Sequence, residues 1–108
     1  MRYAAMDVSN KDQAEALVTE QVLAPSGHDF TILHDLTEVR DFGWVVFYTT
    51  RRFLETRDPS SLVPGTGPVA VTRDGNVVPL TTSVPPQQSI ARFEAEWRKT
   101  NAFQNEVH

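Results

Sequence analysis

The 108-residue chain contains no cysteine. That excludes disulfide bridges, thiolate metal sites and thiol nucleophiles, and it fits a reducing compartment, so the expected location is the cytoplasm. Basic residues are in the minority, with 10 Lys and Arg against 14 Asp and Glu, giving a net charge of −4. A nucleic-acid binder needs a basic footprint, and the sequence does not supply one. No apolar run approaches the roughly 20 residues that span a bilayer. The opening "MRYAAMDVSNKDQ" turns polar by residue 7, unlike a secretory signal. The histidines are few and scattered, at 28, 34 and 108. A metal site requires clustered ligands at set spacings, so no metal and no cofactor are expected.

What is present reads as one folded domain. Apolar residues make up 40% and charged residues 22%, ordinary proportions for a globular chain that encloses a modest core. Residues 9–24, "SNKDQAEALVTEQVLA", predict a helix with Ser9 as N-cap and Ala14, Leu17, Val18 and Val22 as its apolar stripe. Pro25 and Gly27 end it. A second helix is predicted over 86–99, with Ile90, Phe93 and Trp97 on one side. Residues 1–8 and 100–108 are expected to be loose tails.

Between the helices the apolar period falls to two, which predicts strands. Phe30 to Val39 and Trp44 to Thr50 form one expected hairpin, with Arg40 to Gly43 as its loop and Val39 facing Trp44. That register puts Phe30, Ile32, Leu36, Val45 and a central Phe47 on the face towards the helices. Leu33, Asp35, Thr37, Trp44, Val46 and Tyr48 then lie on the other face. In "PVAVTRDGNVVPL" (residues 68–80) Asp74-Gly75 is a two-residue turn candidate that would set Val71 against Val78 and Val69 against Leu80. Pro79 cannot donate to a ladder, so the last strand is expected at an edge. The expected fold is α+β: an N-terminal helix, a four-stranded antiparallel sheet of two hairpins, and a C-terminal helix packed on the same side.

Recognisable chemistry is scarce. Asp41-Phe42-Gly43 matches a kinase metal-binding tripeptide, but the chain lacks the Gly-rich loop, strand lysine and catalytic loop that give it meaning. It reads as a turn. "PGTGP" at 64–68 lacks the lysine and helix of a phosphate loop. Glu38 and Asp41 read as solvated charges rather than as an acid/base pair. No serine or threonine has a base and an orienting group assigned to it, so no enzyme activity is expected. Arg51-Arg52, beside Tyr48 and Phe53, suits protein contact better than nucleic acid.

The segments "EVRDFGWVVFYTTRRFLETRD" and "GTGPVAVTRDGNVVPLTTSVPPQQSIARFE" resemble the bacterial immunity protein 35 family, also called YrhB-like. The resemblance rests on Gly43-Trp44 opening an aromatic strand, Phe47-Tyr48, Phe53-Leu54-Glu55-Thr56, Gly67-Pro68 and the Asp74-Gly75 turn. It implies a small α+β domain that binds and neutralises a cognate toxin of a bacterial polymorphic toxin system. An acidic chain suits a toxin with a basic surface. Some members of that family are described as chaperone-like, so a small chaperone or adaptor is the alternative. The candidate partner-contact residues are Trp44, Tyr48, Arg51, Arg52 and Glu55, with core burial the competing reading for Trp44. An open sheet edge leaves room for a homodimer.

Overall fold

A computed structural model describes residues 8–61 and 66–107. Helix α1 (Lys11–Val18) starts at Asn10, not Ser9: the Asn10 side chain accepts from Gln13 N–H at 2.9 Å, and Gln13 Oε1 accepts from Ser9 N–H at 2.7 Å. The first bond satisfies an amide that the first turn leaves unpaired, and the second ties the residue before the cap to that turn. The helix widens into a π-helical stretch, Thr19–Leu23, and closes in the turn α2 (Ala24–Ser26), capped by Gly27 at φ 79°. The wider turn brings Leu23 fully inside and leaves Val22 only partly buried.

Two sheets follow. Strands β1 (Phe30–Ile32) and β4 (Tyr48–Thr50) form a two-stranded ribbon. Strands β2 (Glu38–Arg40), β3 (Gly43–Val46), β5 (Val69–Thr72) and β6 (Val77–Pro79) form an antiparallel sheet in the order β2-β3-β5-β6. The sheet is thus two adjacent hairpins, as the sequence predicts, with β6 at an edge. Val39 does face Trp44, around a two-residue Asp41-Phe42 turn.

Gly43 is required there. At φ 148°, a Cβ on it would sit 2.1 Å from the Val71 carbonyl oxygen, so only glycine lets β5 approach this closely.

The expected single strand over 30–39 is broken. Between the Ile32–Tyr48 and Glu38–Val45 pairs, one side has residues 33–37 and the other only Val46 and Phe47. A 3₁₀ turn at His34–Leu36 absorbs the excess. The surplus is an odd number of residues, so it reverses which face each side chain takes. Phe30 and Ile32 therefore pack with Trp44, Val46 and Tyr48, while Val45 and Phe47 point the other way.

The second hairpin also shifts by one residue. Thr72 N–H donates to Asn76 C=O at 2.9 Å around a three-residue Arg73–Gly75 loop, with Gly75 at φ 94°. This is the longer Gly-containing hairpin loop, not the two-residue turn. The Thr72 hydroxyl bonds the Asp74 carboxylate and accepts from Asn76 N–H at 3.1 Å, holding the wider loop. Val71 consequently faces Val77, and Ala70 faces Val78.

Helix α3 (Arg51–Thr56) begins at Thr50, whose hydroxyl accepts from Phe53 N–H at 3.1 Å. Helix α4 (Pro86–Val107) runs beyond the expected end at residue 99. The N-terminal tail predicted for 1–8 lies outside the described residues except for Val8, which is buried and donates its N–H to Arg73 C=O at 2.8 Å.

The helices do not share one side of the sheet. Leu17, Val18 and Leu23 pack with Trp44, Val46, Val69 and Val71, whereas Ile90, Phe93 and Trp97 pack with Phe42, Val45, Ala70, Val78 and Leu80. Alternate residues of β3 and β5 go to opposite cores, so α1 covers one face and α4 the other. Every residue of both central strands is buried.

Candidate functional site

The 3₁₀ turn and α3 bound a groove of about 720 Å³. Ile32, Leu33, Leu36, Tyr48, Phe53 and Leu54 give it apolar walls, and His34, Asp35 and Arg57 give it polar ones. Leu36, expected on the core face, is instead 53% exposed because the turn lifts it out of the strand alternation. Arg57 caps α3 in the left-handed region at φ 59° and holds its guanidinium 5.8 Å from the Phe53 ring centre.

One wall is anchored from α1. Glu15 is buried, and its carboxylate accepts from Thr37 Oγ1 at 2.6 Å and pairs with His34 Nδ1 at 2.7 Å. Lys11 Nζ donates to the His34 carbonyl at 2.9 Å. A carboxylate withdrawn from water needs such partners, and here they fix both ends of the 3₁₀ turn. Helix α1 thereby positions the groove without lining it.

The predicted contact residues are divided by the structure. Trp44 is 4% exposed, with the Arg73 guanidinium 5.0 Å from its ring centre, so its indole belongs to the core. Tyr48 lines the groove, half-buried, with its ring edge-on to Phe30 at 4.9 Å. Burial pushes the Tyr48 hydroxyl pKa upward. Arg51 pairs with Asp29 at 3.2 Å and lines a different hollow, on the α1 side of β1. Arg52 and Glu55 are exposed on α3.

Leu36, Leu54 and Arg57 were missed as contact candidates. "RFLETR" carried the helix-forming signal for two of them, but Leu36 was hidden by the assumption of a continuous strand.

Elsewhere the charges serve local structure. Ser60 N–H donates to Asp58 Oδ1 at 3.0 Å, and this backbone bond, with the Ser60 side chain second, lowers the Asp58 carboxyl pKa. Among the described residues no group of three His, Cys, Asp or Glu side chains could hold a metal ion. None of the described helices is long and apolar enough to cross a membrane.

The architecture is that of a small α+β domain that carries, among the described residues, an apolar groove with a polar rim. Residues 12–100 match the model of the family described as Immunity protein 35, and the chain belongs to that family. Neither a curated protein nor a solved structure matches it.

Proposed function

We propose that this domain binds and neutralises a cognate toxin of a bacterial polymorphic toxin system, stoichiometrically and without catalysing a reaction, in the cytoplasm. The family match over residues 12–100 carries the reading. The groove beside α3 supports it: apolar walls, a half-buried tyrosine and a rim arginine are the materials of interface hot spots. The net charge of −4 favours a toxin with a basic surface, whose association complementary charge would speed.

The test is co-expression of the domain with the toxin-like product of the neighbouring gene. The expected results are a co-purifying complex and relief of toxicity. Leu36→Asp should weaken that complex at least about tenfold, since it places a charge on an apolar wall, while unfolding stays close to wild type. Failure of the neighbour product to bind, with toxicity unrelieved, would refute the function. Binding unaffected by Leu36→Asp would refute the groove alone.

A further inference from the structure

The free edge of β1 has the hydrogen-bonding pattern of a strand waiting for a neighbour. Leu33 N–H donates to Phe47 C=O at 2.8 Å and Arg51 N–H to Asp29 C=O at 2.9 Å. In an antiparallel ladder these bonds fix the alternation, so Phe30 and Ile32 turn their backbone groups away from β4. Phe30 N–H is taken by His28 C=O at 3.0 Å, and the next outward carbonyl, His34, by Lys11 Nζ at 2.9 Å. The Phe30 carbonyl and the Ile32 N–H and carbonyl have no partner among the described residues.

Both edges of the four-stranded sheet are protected. Leu80 N–H donates to Pro68 C=O at 2.9 Å and Thr72 N–H to Asn76 C=O at 2.9 Å, which turns Val77 and Pro79 outward on β6. Pro79 has no N–H to offer, a known guard against edge pairing. On β2, Glu38 is bonded to Gln87 and Arg40 to Glu94, so charged side chains tied to α4 flank Val39. Unlike these two edges, β1 carries neither proline nor a charged side chain.

Beside it lies a hollow of about 320 Å³, lined by Thr19, Leu23 and Ala24 of the helix and by Phe30 and Ile32 of the strand. Phe30 and Ile32 pack into the core under α1. A strand added here would turn alternate side chains towards Leu23 and Ala24, extending that core.

We propose that β1 is a strand-addition site that takes an extended peptide segment of another protein, with apolar side chains alternating with polar ones. A carbonyl, an N–H and a carbonyl at a spacing of two residues are complementary to a peptide backbone, and the hollow accepts its apolar side chains. This assignment is independent of the toxin reading, so failure of the co-expression test leaves it standing.

The test selects binders from a random-peptide library displayed on phage, with the full chain as bait, and follows residue-resolved amide exchange with the synthesised winners. In the dilute free protein Ile32 N–H should exchange fast and Leu33 N–H slowly. An enriched peptide should slow Ile32 at least about tenfold and leave Leu33 unchanged. Replacing the Ile32 amide by an ester, which keeps the side chain, should abolish peptide binding while the circular dichroism spectrum is retained. The proposal is overturned if no peptide is enriched, or if bound peptides leave Ile32 exchange unchanged. Slow Ile32 exchange at high dilution would also overturn it, because the chain then covers its own edge. Slowing with the domain's own concentration would overturn it in favour of a second copy as occupant.

Discussion

Phe42 is the residue on which the α4 side of the domain depends, although it sits in a two-residue turn. It is 1% exposed, packs with Val45, Ala70 and Ile90, and meets Phe93 edge-on at 4.8 Å and Trp97 at 6.3 Å. Removing its ring forfeits about 1.5–3 kcal/mol of transfer free energy. Each aromatic contact adds about 0.5–1.5 kcal/mol. The site has little freedom to collapse into the space: Arg73 N–H donates to Phe42 C=O at 3.0 Å, and the adjoining Gly43 is pressed against the β5 backbone. Phe42→Ala should therefore lose about 3–5 kcal/mol, as for other buried aromatics truncated without relaxation. In a domain of this size that lowers Tm by more than about 12 °C. Urea unfolding followed by far-ultraviolet circular dichroism measures it, with Phe47→Ala, a half-buried position in the same cluster, as the comparison. A loss below about 1.5 kcal/mol for Phe42→Ala, or one smaller than that of Phe47→Ala, would refute the assignment of Phe42 as the centre of this core.

Glu15→Ala should cost about 1–3 kcal/mol, the scale of losing hydrogen bonds to a charged group, and should speed amide exchange across residues 34–37; unchanged exchange there would show that the carboxylate does not hold the turn. Pro79→Val should change stability by less than about 0.5 kcal/mol but raise self-association in sedimentation velocity, because it restores an outward N–H. Val78→Pro, which deletes an inward ladder donor, should destabilise by at least about 1–3 kcal/mol. The Asp41 carboxyl is held below its usual range first by the hydrogen bond from Arg98 and then by that charge. Since its folded pKa is depressed, its contribution is present above the ordinary carboxylate value of about 4 and fades as pH falls through the folded value. The stability difference between wild type and Asp41→Asn should thus be small at neutral pH, both groups being exposed, and vanish at acid pH in parallel urea titrations.

The elements themselves were legible because each has a strong local cause. Gly27 stops the first helical stretch, which runs through Pro25, Pro79 marks an edge, and the Gly43-Trp44 junction sets the first hairpin's register. The second hairpin's register was not legible, because Asp-Gly serves both two- and three-residue loops. The Thr72 hydroxyl and the Asp74 carboxylate decide between them here. Sidedness left a signal that alternation arguments overlook. Trp44-Val45-Val46-Phe47 and Val69-Ala70-Val71 are continuous apolar runs, and a strand apolar on both faces needs cover on both. Two helices on one side would have left half of those side chains in water.

The candidate groove was illegible for the same reason that the faces were reversed. The excess residues in 33–37 form a turn to which Glu15, distant in sequence and on another element, supplies partners at His34 and Thr37. No local pattern in "TILHDLTEV" contains that information, and read alone it alternates well enough to be a strand. Once the turn forms, it exposes Leu36, reverses Phe30 and Ile32 towards α1, and ends β1 early. The groove against α3 is consequently a product of that interruption. A continuous strand would have kept Leu36 in the strand alternation and left no turn beside α3. The chain instead uses a buried carboxylate to hold the interruption, next to the groove proposed to receive another protein.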